Sequence, residues 1–111
     1  MIVDAKCQAS PLVPIDVICQ HNSDGNLIPL RIRTKDDEGD YHAYTIHKYR
    51  LLDLHPGSDN PDRVELTLYD IVYECHAYVF GRDRMFRIYY DLRSTSPVWQ
   101  ISRSCISSMR M

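Results

Sequence analysis

The stretch that most constrains this chain is residues 71–91, IVYECHAYVFGRDRMFRIYYD. β-Branched and aromatic side chains fill both halves. The polar run Gly81-Arg82-Asp83-Arg84 separates them, so the stretch reads as a β-hairpin with a short turn. In the first arm Ile71, Tyr73, Cys75, Ala77 and Val79 share one face, and Val72, Glu74, His76, Tyr78 and Phe80 the other. In the second arm Phe86, Ile88, Tyr90 and Leu92 alternate with Arg87, Tyr89 and Asp91. Arms this apolar would pair between chains if their edges were left free. The hairpin therefore demands further strands beside it.

The remaining sequence supplies them. VPIDVICQ at 13–20 places Val13, Ile15, Val17 and Cys19 against Asp16 and Gln20. A turn carrying Asp24-Gly25 follows. In LIPLRIRTK at 27–35, Ile28, Leu30, Ile32 and Thr34 oppose Arg31, Arg33 and Lys35. Pro29 has no N–H to give a ladder, so it belongs at an edge or delays the strand. The acidic loop DDEGD at 36–40 leads into YHAYTIHKY at 41–49. There Tyr44 and Ile46 point together, opposite Ala43, Thr45, His47 and Tyr49. Residues 49–54 read as a turn or single helical turn, and HPGSDNPD at 55–62 as a loop. RVELTLYD at 63–70 reads as a strand with Val64, Leu66 and Leu68 in register, Ser94 to Pro97 as a turn, and VWQI at 98–101 as a short closing strand.

Six or seven short strands and no helix of three turns predict an all-β fold. The expected form is a small antiparallel barrel of the SH3-like kind, with a two-sheet β-sandwich as the alternative. The 111 residues suit one domain. A loose arm is expected over 1–12, the barrel over 13–102, and a frayed tail over 103–111.

Four cysteines, Cys7, Cys19, Cys75 and Cys105, form no C-x-x-C pair. Asp4 and Lys6 interrupt the N-terminus where a signal peptide needs an apolar run. No stretch approaches the roughly 18 apolar residues of a membrane helix. The expectation is a cytoplasmic protein with reduced thiols, Cys19 and Cys75 serving as small buried hydrophobes.

A hydrolytic site needs a nucleophile, a base and a group that orients the base. Cys75 adjoins His76, but neighbours on a strand face opposite ways and cannot pair. No phosphate-loop, dinucleotide, G-x-S-x-G or H-E-x-x-H motif occurs. An enzyme is not expected. Neither is a cofactor or metal: His42 and His47 face opposite ways, His21 and His55 fall in loops, and no ligand spacing announces a site.

Two binding readings remain. Eight tyrosines exceed what a small core holds, and tyrosine is enriched at contact surfaces. Tyr41, Tyr44, Tyr69 and Tyr78 are the candidates for binding a protein partner, including a second copy in a homodimer. The alternative is a nucleic-acid face built from Arg31, Arg33, Arg82, Arg84 and Arg87 with Tyr89 beside them, rings stacking on bases and guanidinium groups on phosphates. The net charge of −2 hides an asymmetry relevant to it. Residues 1–81 hold 7 Lys/Arg against 13 Asp/Glu, and residues 82–111 hold 6 Arg against 2 Asp. The acidic first part disfavours a strong phosphate funnel.

Over residues 13–101 the chain resembles a group of short uncharacterised bacterial proteins, mostly clostridial. The resemblance rests on IDVICQHNSDGNLIPLRIRTKDDEGDYHAYTIHKYRLLD, YECHAYVFGRDRMFRIYYD and VWQI. The shared pattern falls on Asp24, Gly25, Pro29, Leu30, Arg31, Arg33, Cys75, Arg87 and Trp99. It implies an all-β fold and carries over no particular activity. PLRIRTKDDEGDYHAYTIHKYRLLD and RDRMFRIYYD are also similar to WYL domains, SH3-like ligand-binding modules of bacterial regulators. That likeness implies nucleic-acid sensing, although the W-Y-L triplet and a helix-turn-helix are missing here.

Overall fold

In a computed structural model the described residues form six strands and one short helix: β1 (Leu12–His21), β2 (Leu27–Lys35), β3 (Tyr41–Leu52), β4 (Asp70–Val79), β5 (Arg82–Asp91), β6 (Trp99–Ser102) and α1 (Arg103–Ser108). The structure describes residues 12–36, 38–57, 59, 66–93 and 98–108. The expected N-terminal arm up to residue 11, Cys7, Val64 and the turn expected at 94–97 lie outside them. Each strand pairs antiparallel with the next, and β6 pairs with β1, closing a barrel. The all-β, SH3-like small barrel forms; the two-sheet sandwich does not.

The ladders are staggered, so a strand divides its length between two neighbours. β1 pairs with β6 through 12–15 and with β2 through 16–21. β3 pairs with β2 through 41–45 and with β4 from Ile46 onward. The interior is filled by the alternation anticipated above: Ile15, Ile32, Ile46, Tyr73, Cys75, Ala77, Val79, Phe86, Ile88, Trp99, Ile101 and Ile106 form one cluster. Tyr90 stacks on Trp99, ring centroids 4.6 Å apart.

Two bulges break the rhythm. Opposite Ile18 and Cys19 the β2 register jumps from Arg31 to Pro29, which leaves Leu30 over. Leu30, expected inside, is exposed, while Pro29 is buried. On β3, Ile46 faces Ala77 and Lys48 faces His76, which leaves His47 as the extra residue. Beyond this bulge Tyr49 and Leu51 stand opposite Cys75 and Tyr73, so Tyr49 is not on the face of Ala43 and Thr45. β3 also continues to Leu52, where a turn or helical turn was expected.

Other expectations change. Among residues 66–69 of the anticipated 63–70 strand there is no strand, and β4 begins at Asp70. Asp70 Oδ2 accepts the Thr67 N–H at 2.7 Å and the Thr67 hydroxyl at 3.2 Å, and the Thr67 hydroxyl oxygen accepts from the Tyr69 N–H. These local bonds compete with a ladder and hold the segment as a turn. Leu66 and Leu68 therefore part: Leu66 is buried and Leu68 is 83% exposed. Leu66 joins Val72 and Tyr89 in a second small core, packed by Leu12, Leu52 and Leu54. Val72 and Tyr89 point away from the barrel interior and are buried all the same. The hairpin turn sits at Phe80-Gly81, one residue earlier than expected, with both at positive φ (53° and 78°) between the paired Val79 and Arg82. That is the I′ geometry whose twist suits a two-residue hairpin. Residues 103–108, expected to fray, form α1, and Ile106 packs into the main core.

Candidate functional site

The outer surface of β2 carries Arg31, Arg33 and Lys35 at alternate positions, all exposed, while Ile32 and Thr34 between them are buried. Period two on a half-buried strand dictates this: the strand drives its isoleucine and threonine inward and lifts three cations outward. β1 and β3 flank them. Asp16 pairs in register with Arg33, and Arg33 donates to Asp16 Oδ2 through Nε at 2.9 Å and Nη2 at 2.6 Å. Both side chains are more than half exposed, so water screens the pair and it contributes only about 0–1 kcal/mol. On the β3 side the Arg33 guanidinium lies 4.2 Å from the Tyr41 ring centroid, and Lys35 Nζ lies 5.7 Å from it.

Two hollows border the Asp16–Arg33 pair. One of about 440 Å³ is lined by Pro14, Val17, Val98 and Trp99 on its apolar side and by Arg33, Lys35 and Tyr41 on its polar side. The other, about 350 Å³, lies among Ile18, Arg31, Ile32 and Ala43. Ile18 is 59% exposed, which places an aliphatic side chain among cations. The surface thus offers fixed positive charge beside apolar recesses.

The residues singled out from the sequence do not share one surface. Arg31, Arg33 and Tyr41 come together here. Arg82 and Arg84 stand opposite Val79 and Ala77 near the hairpin tip, in phase with the inward residues of β5. Arg87 is out of phase with them, opposite Glu74, and its Nη1 donates to Met85 sulfur at 3.4 Å. Tyr89 is 2% exposed under Leu66, so its ring is closed to a base. Tyr44 packs against the core. Tyr69 lies under Arg93, 5.2 Å from guanidinium to ring centroid. Tyr78 stacks on His47 at 4.4 Å. Three exposed tyrosines therefore sit in three separate places, each against a basic or imidazole partner. Lys35 was missed as a binding residue because it ends its strand beside an acidic loop; its phase with Arg31 and Arg33 was the available signal.

Other groups are occupied structurally. Cys75 is fully buried, and burial first, then Glu74 and Cys19, pushes its thiol up to about 12. At neutral pH it holds almost no thiolate, the nucleophilic form. His76 lies on the opposite face, as the strand period requires. In the acidic loop Asp36 accepts N–H bonds from Glu38 and Asp40, and His42 Nε2 lies 2.8 Å from its other oxygen. The His42 contact leads the causes that lower the Asp36 carboxyl.

Set against known proteins, the chain matches no family model, no curated protein and no solved structure. No helix among the described residues is long and apolar enough to cross a membrane.

Proposed function

We propose that this protein is a non-enzymatic binding module whose β1–β3 face takes an acidic, partly apolar segment of a protein partner. The observation that carries the reading is the alternation of Arg31, Arg33 and Lys35 on the outside of β2, interleaved with the hollows beside Val17, Trp99 and Ile18. An extended segment has the same two-residue period, so its acids and apolar side chains meet cations and recesses in turn. A second copy of the chain is one form such a partner takes. Arg33, already lying against Tyr41, loses less freedom on meeting a carboxylate than a free arginine does. Asp16 competes for the same guanidinium and holds off weak partners.

Support for protein over nucleic acid comes from the broken track: Tyr89 is buried, and Arg82, Arg84 and Arg87 stand away from β2. Single-strand binding uses exposed rings aligned with a continuous basic groove. The test is panning a random peptide display library against the folded protein at low salt. Enrichment of sequences alternating Asp or Glu with apolar residues, lost in Arg31→Glu/Arg33→Glu, is expected. Enrichment without acidic bias, or retained in that variant, contradicts the proposal. Salt-sensitive capture of an oligothymidylate probe with no peptide enrichment transfers the face to nucleic acid.

A further inference from the structure

On the opposite side of the barrel, outside the β3–β4–β5 sheet, three side chains from three strands converge on one oxygen. His47 Nε2 lies 3.0 Å from Asp83 Oδ1, and His76 Nδ1 lies 3.6 Å from the same atom. The two imidazole centroids are 6.2 Å apart. We propose that His47, His76 and Asp83 form a site for a borderline-soft divalent transition-metal ion of the Zn²⁺ class.

The donor chemistry suits that class. Two imidazoles and a carboxylate are zinc ligands, and the open positions go to water. With bonds of ~2.0–2.1 Å, donors around a tetrahedral ion stand roughly 3.3 Å apart. The two separations to Asp83 bracket that value. The third side, between the two imidazole nitrogens, is longer than 4.8 Å in this arrangement, so binding requires the rings to turn toward each other. Their surroundings allow it, since His47, His76 and Asp83 are 31%, 24% and 49% exposed in their side chains.

The backbone favours the arrangement. His47 is the extra residue of the β3 bulge, so it and Lys48 both stand opposite His76. Bulges recur where a strand re-aims a side chain. The Tyr78 ring stacks on His47 with 17° between planes. Cations also face the site. Lys48 is opposite His76, and Arg87 approaches Met85, which stands opposite His76; Arg84, the neighbour of Asp83, is on the other face of β5. Glu74, one step along β4, is engaged by Arg50. These cations lower the affinity. The acidic trio Asp36, Glu38 and Asp40 has carboxylate oxygens within 4.8 Å of one another. It lies in a different loop, lacks imidazole, and serves as the control region.

The test is calorimetric titration of the full chain with Zn²⁺ at neutral pH, repeated with Co²⁺ and read by absorption. The wild type is expected to take up one equivalent. His47→Gln and His76→Gln should each weaken uptake about tenfold or more, and His42→Gln should leave it unchanged. Co²⁺ should give visible d–d bands without the near-ultraviolet charge transfer of a thiolate. No uptake below millimolar metal overturns the proposal. So does uptake indifferent to His47→Gln and His76→Gln, or a thiolate band that places the ion on cysteine. Circular dichroism of each variant separates ligand loss from unfolding, and both histidines are exposed enough that folding should survive.

Discussion

The Tyr73 hydroxyl donates to the Leu27 carbonyl at 2.7 Å, which ties β4 to the start of β2. The β2–β3 ladder ends at Arg31 and Thr45, so Leu27, paired with His21 of β1, lies beyond it and the hydroxyl supplies a cross-link where pairing to β3 has stopped. Tyr73→Phe removes that donor and keeps the ring. It should cost about 0.5–1.5 kcal/mol in a urea melt, the range for the loss of one hydrogen bond, since the bond is part-buried. An unchanged midpoint would mean water replaces the hydroxyl and the tie carries nothing.

Burial raises the thiols of Cys75, to about 12, and Cys19, and the phenols of Tyr73 and Tyr44. For such groups the unfolded chain loses its proton first. The stability they contribute is therefore complete below the unfolded values and disappears as pH rises through the folded ones. The melting temperature should fall from about pH 9, the ordinary value for a cysteine thiol, toward pH 12. Cys75→Ala should flatten that decline. An equally steep decline in the variant assigns the effect to other groups. At the acid end the sign reverses. Asp36, Glu74 and Asp91 are held low by His42, Arg50 and Arg93 respectively, so stability is lost as pH falls below the ordinary carboxylate range. Arg50→Ala should shift that acid limb upward in pH.

Phe80 occupies a left-handed position with φ of 53° and is 67% exposed. A β-carbon makes that conformation costly, and asparagine tolerates it best among side chains. Phe80→Asn should stabilise the protein by about 0.5–1 kcal/mol. Destabilisation would show that the ring makes a contact worth more than the strain.

A core position and a turn position predict different sensitivities. Ile88 is 0% exposed, and Ile88→Ala should cost about 2–4 kcal/mol. Leu68, 83% exposed, should cost less than about 0.5 kcal/mol on the same change. Similar losses at both positions in denaturant melts would refute the turn at 66–69.

The barrel was legible because alternation survives most of its length: Val13 to Cys19, Ile71 to Val79 and Phe86 to Tyr90 each point as period two requires. Where it failed, one local event intervened. A bulge is fixed by the partner strand, so Leu30 and His47 gave no sign of leaving the ladder. Thr67 and Asp70 spent their side chains on a turn inside what read as a strand. Tyr89 looked exposed by phase, but Leu66, distant from it in sequence, covers it. Of the candidate site, Arg31 and Arg33 were visible as a repeated cation on one strand. Asp16, Trp99 and Tyr41 join them only through pairing across the barrel. The His47, His76 and Asp83 convergence spans three strands, and no spacing along the chain encodes it.

The central functional claim is that the β1–β3 face does the binding. A two-dimensional amide NMR titration of the labelled protein with a short peptide alternating Glu and Val tests it most directly. Shifts confined to residues 14–18, 31–35, 41–45 and 98–99, fading with added salt and absent in Arg31→Glu/Arg33→Glu, are the result this account predicts. Shifts centred on residues 78–87, or none at millimolar peptide, would contradict it.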